Sequence, residues 1–284
     1  MSWLSSLPKQ PTERILCRRH TPLEGEPVPL TGTDFQDGSF LCKFAKNCVR
    51  KATTLFGRPL IACSTQNIGS VCTGSAMDAM AVSATEAALR AEDIPADFDF
   101  SFTCETEKNK ANFIAQIIPK VLPCHNGLPC NFQLLENFAH PDKRKCGVHN
   151  RPCKLPSSLH GLIGGLSCKD WARMKNWHSG PKQNGAAIYG ADKSPGKSAE
   201  CMHGLIATVK ACPTDWVILE NSDELTENEQ QRPALDLFMH DLNEAGFDAR
   251  IFTVQSSDYA LPQKRRRAWI CAVRRPSQYL YIKD

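Results

Sequence analysis

Asn67-Ile68-Gly69-Ser70-Val71-Cys72-Thr73-Gly74-Ser75-Ala76-Met77-Asp78 passes from an apolar run into small residues and then into an alanine-rich stretch, residues 79–91. Alanine is the strongest helix former. The passage therefore reads as a strand (67–72), a tight turn and a helix (79–91). A small-residue turn at the mouth of a helix lets backbone amides approach a nucleotide-like cofactor. Such turns are also common between any strand and helix, so the surrounding chain decides what this one does.

Outward from the turn, short apolar runs alternate with helical stretches. Strands are predicted at 67–72, 98–104, 131–135, 159–163, 216–219, 248–254 and 268–273. In the second, Phe98, Phe100 and Phe102 alternate, and the acid Glu105 stands just beyond its end. A helix over 233–245 places Leu235, Phe238, Met239 and Leu242 on one face, with Gly246 as its cap; these side chains read as core. Strand–helix alternation of this kind predicts an α/β fold, Rossmann-like, with a mostly parallel sheet. The last two strands are expected to form an antiparallel pair. Residues 1–57, with Pro8, Pro11, Pro22, Pro27 and Pro29 scattered through them, read as a poorly ordered or irregular N-terminal extension, and residues 58–284 as the folded core.

A chain of 284 residues with 42% hydrophobic residues buries a sizeable core. The formal net charge of +4 fits a nucleic-acid partner without demanding one. No apolar stretch approaches the length of a membrane span, and the N-terminus does not read as a secretory signal. The fourteen cysteines are then expected as thiols, metal ligands or buried apolar fillers in a reducing compartment.

Three further segments carry candidate chemistry. Gly164-Gly165-Leu166-Ser167-Cys168-Lys169-Asp170-Trp171 follows the fourth strand directly. Ligands of open parallel sheets bind at the carboxyl ends of strands, so Cys168 is placed to act, with Lys169 at hand to favour a thiolate. A buried structural cysteine is the competing interpretation. Trp216-Val217-Ile218-Leu219-Glu220-Asn221 ends an apolar strand on an acid, a costly choice unless the acid is paired, used or solvated. Asp258-Tyr259-Ala260-Leu261-Pro262-Gln263-Lys264-Arg265-Arg266-Arg267 leads into the last strand. If that strand begins early, Arg265 and Arg267 project to one side and suit a planar polar group or phosphates; otherwise the run is a solvated surface or a localisation signal.

In this order the four segments resemble the cytosine-C5 methyltransferase family. Ser167-Cys168 looks like its Pro-Cys step with serine for proline. Glu220-Asn221 matches its Glu-Asn pair, and Gln263, Arg265 and Arg267 match its Gln-x-Arg-x-Arg strand, with Asp258-Tyr259 and Pro262 as the usual lead-in. The resemblance runs from Asn67 to Arg275. Ser222 stands where valine is usual, and Ala76 where many members have glycine. Leu134 takes the place of the acid expected to hold the adenine amino group, with Glu136 close by.

The resemblance implies a fold of the S-adenosylmethionine-dependent methyltransferases and transfer of a methyl group to cytosine C5 in DNA, in the nucleus. Cys168 is implied as the nucleophile that adds to C6, Glu220 as the group at the N3 and N4 edge, and Arg265 and Arg267 as orienting the base through O2. Ser167, Asn221 and Gln263 are implied as substrate contacts. The cofactor would be held by Gly69, Ser70, Cys72, Thr73, Gly74, Ser75 and Glu105, the last through the ribose hydroxyls. A tRNA-modifying branch shares these motifs, so RNA is the alternative substrate, and a catalytically deficient binding protein is another. The family's target-recognition domain and final cofactor-side motifs have no visible counterpart, which implies an incomplete core or a second chain that supplies target recognition.

Cysteine and histidine also crowd residues 124–153. Cys146, His149 and Cys153 have the spacing of zinc ligands. Upstream, Cys124 and His125 are adjacent and Cys130 stands too far from them; a fourth ligand would have to come from a looser position, such as His140 or Cys130. The segment is therefore read as a loop with scattered thiols, and no metal ligand is assigned.

Overall fold

A computed structural model describes residues 40–56, 65–74, 76–121, 130–132, 146–171, 185–190, 197–259 and 263–275. The predicted contacts Ser75, Leu134 and Glu136, and the upstream residues Cys124, His125 and His140, lie outside them.

Seven strands form one sheet among the described residues: β1 (Gln66–Val71), β2 (Phe98–Cys104), β3 (Cys130–Phe132), β4 (Leu159–Gly165), β5 (Thr214–Ser222), β6 (Phe247–Gln255) and β7 (Arg266–Arg274). Their order is β3-β2-β1-β4-β5-β7-β6. The pairs from β3 to β5 are parallel, whereas β7 runs antiparallel to both β5 and β6. The helices are α1 (Phe40–Phe56), α2 (Met77–Ala91), α3 (Lys108–Val121), α4 (Gly185–Tyr189), α5 (Lys197–Ala211), α6 (Glu224–Glu227) and α7 (Arg232–Glu244).

The main core lies between the sheet and helices α5 and α7. Leu162, Val217, Leu219 and Ile270 from the strands meet Met202 and Leu205 of α5 and Leu235, Phe238 and Leu242 of α7, all fully buried. The helical spacing of the α7 residues is thus a core stripe, as its sequence pattern predicts. A second cluster, with Ile68, Ala79, Phe100 and Ile114, packs α2 and α3 on β1 and β2. Farther along the sheet, Ile218, Trp269 and Val273 stay exposed. Arg274 closes one end of the fold: its guanidinium donates to the carbonyls of Thr214, Ala245 and Val209 and lies 4.6 Å above the Phe247 ring.

Two local differences from the sequence-based expectations have physical causes. Within the N-terminal extension, residues 40–56 are a regular helix rather than irregular chain. This segment holds no proline, and Ala45 and Val49, one turn apart, pack on Ala84, Ala88 and Leu89 of α2. Arg50 pairs with Glu92 at 2.8 Å on the outer side. Strand β5 extends to Ser222 instead of stopping at Leu219, so Glu220 and Asn221 are strand residues that alternate in direction.

Candidate active site

Chain order reverses between β1 and β4. From β1 the sheet grows one way through β2 and β3, and from β4 the other way through β5. A crevice at the carboxyl ends of strands opens at such a switch point. The turn after β1 and the Cys168 loop after β4 flank it.

The first turn is built from internal hydrogen bonds. The backbone is left-handed at Cys72 (φ 52°), Gly74 (φ 61°) and Ala76 (φ 60°). Ser70 Oγ lies 2.7 Å from Thr73 Oγ1 and also donates to the Asp78 carboxylate. Glu105 is buried, and its two oxygens accept from the backbone N–H of Gly74 (2.9 Å) and of Glu107 (3.0 Å). It therefore clasps the turn to the end of β2, and each oxygen keeps a second lone pair for another donor. Among the described residues, a methyl placed on Gly74 would meet only the Cys72 carbonyl, at 3.9 Å. Gly69 requires a correction. It lies inside β1, where a Cβ would come 2.4 Å from the Phe102 ring, so its missing side chain serves packing rather than a ligand. Ser70, fully buried in the same strand, likewise works within the turn's own hydrogen bonds.

The second segment leaves β4 in register with β5. Gly165 is paired with Glu220, and the N–H of Leu166 donates to the Glu220 carbonyl at 3.0 Å. The loop then folds back, with the Trp171 N–H donating to the Cys168 carbonyl. A reciprocal clamp fixes it to α5: the Asp170 N–H donates to Ser198 Oγ (3.0 Å) and the Ser198 N–H donates to Asp170 Oδ2 (2.8 Å). Sequence inspection missed this clamp, because its partners are 28 residues apart. Trp171 is fully buried and anchors the loop's far side, while Ser167 and Cys168 are half-buried and Lys169 is exposed.

Two sulfur atoms join the two segments. Cys72 Sγ donates to Cys201 Sγ at 3.7 Å, and the backbone of Ser167 also reaches Cys201. The bond to Cys201, and then burial, push the Cys72 thiol well up. The same bond draws the Cys201 thiol down against its burial, with help from Ser167.

The third group converges on Glu220. Arg267 Nε lies 2.6 Å from Glu220 Oε1, and Arg265 Nη2 lies 4.0 Å from the same oxygen. Both arginines thus reach to one side, Arg265 just ahead of β7 and Arg267 within it. A Cβ on Gly165 would stand 3.5 Å from Glu220 Oε2, so the carboxylate lies over the base of the Cys168 loop. Asn221 requires a second correction: it is 1% exposed, and its Oδ1 accepts from the N–H of Ser222. Adjacent strand residues face opposite ways, so with Glu220 toward the crevice Asn221 turns into the fold and shapes the strand end. Gln263 is exposed ahead of β7.

A parallel sheet of this order, with one antiparallel strand inserted next to its edge, is the fold of S-adenosylmethionine-dependent methyltransferases. The model of the C-5 cytosine-specific DNA methylase family matches residues 130–283, more than half of the chain, and the chain belongs to that family. Solved structures similar to it include Dnmt2 methyltransferase of S. pombe, at 12% identity and TM-score 0.41 over 74% of this chain and 50% of that one. A putative DNA modification methyltransferase from an E. coli prophage has 16% identity and TM-score 0.45, over 77% and 49%. The methyltransferase EhMeth of Entamoeba histolytica has 9% identity and TM-score 0.44, over 76% and 55%. The chain spans about half the length of these structures. No curated protein matches it.

Proposed function

We propose that the chain methylates C5 of cytosine in DNA through a covalent adduct with Cys168. The observation that carries this reading is the Glu220 carboxylate, gripped by Arg267 at 2.6 Å and lying over the loop that bears Cys168.

Cytosine C5 is a poor nucleophile, and addition of a thiolate at C6 makes it enamine-like. In this reading Cys168 forms the S–C6 bond, and the displaced electron pair moves toward C5 and the N3 side of the ring. Glu220 holds a proton at N3 and accepts from the N4 amino group, which stabilises the adduct. Arg267 fixes Glu220 in place, and Arg265, more exposed, is free to reach O2 of the base. Ser167 and Gln263 line the base. Once C5 carries the methyl group, its proton leaves to a base and the S–C6 bond breaks, returning the Cys168 thiolate. A duplex substrate has to present the cytosine unstacked to reach the sulfur.

The turn after β1 suits S-adenosylmethionine: among the described residues a side chain on Gly74 would meet nothing closer than the Cys72 carbonyl at 3.9 Å, and Glu105 keeps lone pairs for ribose hydroxyls. That cofactor, when bound, supplies the methyl group from its sulfonium. Cys72, Thr73 and Gly74 would line its site, in a turn that the Gly74 N–H to Glu105 and Thr73 N–H to Cys104 bonds hold in shape. A nuclear location and a second chain that supplies target recognition belong to the same proposal.

RNA is the competing substrate, because the residues that grip a cytosine are indifferent to the sugar. Labelled methyl transfer to mixed-sequence duplex DNA and to tRNA, in parallel, tests the reading. Incorporation into DNA that is lost in Cys168→Ala supports it. Incorporation into tRNA alone overturns the choice of DNA, and no methyl transfer to either overturns the enzymatic reading.

A further inference from the structure

We propose that Cys146, His149 and Cys153 form a zinc site, although the sequence pattern alone led to no metal assignment. One ligand atom from each lies within 4.8 Å of the other two. His149 Nδ1 is 3.3 Å from Cys146 Sγ and 3.5 Å from Cys153 Sγ. Zinc–sulfur bonds of about 2.3 Å and zinc–nitrogen bonds of about 2.0–2.1 Å, set at tetrahedral angles, give a nitrogen–sulfur edge of about 3.5 Å. Both separations match that edge.

Ordinary thiol–imidazole bonding accounts for the arrangement less well. A neutral Nδ1 carries either one hydrogen or one acceptor lone pair, so it serves one sulfur at a time, whereas a cation among the three atoms satisfies both. The backbone is also shaped for the purpose. The His149 N–H donates to Cys146 Sγ at 3.4 Å, the Asn150 N–H donates to the Cys146 carbonyl at 2.9 Å, and the Cys146 N–H donates to the Arg151 carbonyl at 3.1 Å. Asn150 takes a left-handed backbone (φ 51°) to close the turn. An N–H aimed at sulfur stabilises a thiolate, the form that binds metal. Two sulfurs and an imidazole nitrogen are borderline-soft donors that select zinc over magnesium or calcium. One tetrahedral position is left for a fourth donor.

The site's place in the fold gives it a structural task. Cys146 is fully buried and Cys153 packs against the main core, while His149 is exposed. The chain then runs through Pro156, whose carbonyl accepts from Cys212 Sγ, and enters β4 at Leu159. Zinc would therefore pin the turn of residues 146–153 ahead of the amino end of β4. Cys168 follows the other end of β4, a strand about 20 Å long at about 3.3 Å per residue. The metal is then separate from the methyl-transfer chemistry.

The test is metal analysis of the full chain purified with reductant, together with substitution by cobalt. One zinc per chain is expected, and cobalt should give thiolate-to-metal charge-transfer absorption and tetrahedral visible bands. Cys153→Ser and the exposed His149→Ala should each lose at least nine-tenths of the metal while keeping a folded circular-dichroism spectrum; Cys146→Ser checks the buried ligand. Cys168→Ala should retain zinc. A wild-type chain that neither carries zinc nor binds added zinc or cobalt overturns the proposal. So does full retention of metal in both Cys153→Ser and His149→Ala, or a Cys146–Cys153 disulfide in the freshly reduced protein.

Discussion

Arg267 grips Glu220 at 2.6 Å, while Arg265, two residues earlier and pointing to the same side, stands 4.0 Å from the same oxygen. The two arginines therefore have different tasks. Arg267 and Glu220 are each 27% exposed on the side chain, whereas Arg265 is 50% exposed. A partly sheltered charge pair fixes a geometry, and a misplacement of about 1 Å at a reacting group costs about 100-fold in rate. Arg267→Ala is expected to lower single-turnover methyl transfer by about 100-fold with little change in substrate affinity. Arg267→Lys should not restore it, since an ammonium lacks the planar fork. Arg265→Ala should act mainly on KM. Equal losses in kcat for both variants would contradict this division.

Ala76 sits at a left-handed backbone position with its methyl fully buried. The left-handed conformation costs a non-glycine residue about 1–2 kcal/mol. Burying one methyl contributes about 0.8 kcal/mol. Ala76→Gly trades the second for relief of the first, so its stability in urea should stay within about 1 kcal/mol of wild type. Ala76→Val adds a branched side chain to the same backbone and to a packed site, and should destabilise by about 2 kcal/mol or more. Equal destabilisation by both substitutions would argue against the left-handed turn.

Asp78 gives the turn a pH dependence. Burial raises its carboxyl above the usual carboxylate range, and the hydrogen bonds from Ser70 and the Ala79 N–H offset this only in part. The folded protein thus holds this proton more tightly than the unfolded chain does. The resulting stabilisation is complete below the unfolded value of about 3.9 and is lost as pH rises through the folded value. Asp78→Asn resembles the protonated form at every pH. Its Tm relative to wild type should be higher at pH 7, and the difference should vanish as pH falls to about 4. A pH-independent difference between the two proteins would count against a buried carboxylate here.

Much of this was legible in the sequence, and the parts that were not depend on register. The strands announced themselves through Phe98, Phe100 and Phe102 and through the apolar run before Glu220. Cys168, Glu220 and Arg267 were legible because each stands at a strand end next to residues of unusual cost or flexibility. That Asn221 faces inward was not, since it required β5 to continue to Ser222. The unequal roles of the arginines were equally hidden, because they follow from Ser222 pairing with Arg267 across the antiparallel ladder. The packing role of Gly69 was not legible either, since it depends on the Phe102 ring of the neighbouring strand. Helix α1 was not legible: among its described side chains only the small Ala45 and Val49 pack on α2, too weak a pattern to mark a helical face. The spacing of Cys146, His149 and Cys153 was visible, but their meeting on one nitrogen needed the turn at Asn150.

In the proposed reaction Cys168 bonds to a cytosine held by Glu220. Its most direct test is intact-mass analysis of the chain after incubation with S-adenosylmethionine and a mixed-sequence duplex containing 5-fluorocytosine, whose fluorine blocks release of the enzyme once C5 is methylated. A stable protein–DNA adduct is predicted for wild type, with its cross-linked peptide at Cys168, a much slower yield in Glu220→Gln and none in Cys168→Ala. An undiminished adduct in Cys168→Ala, or one mapped to another residue, would rule out Cys168 as the nucleophile.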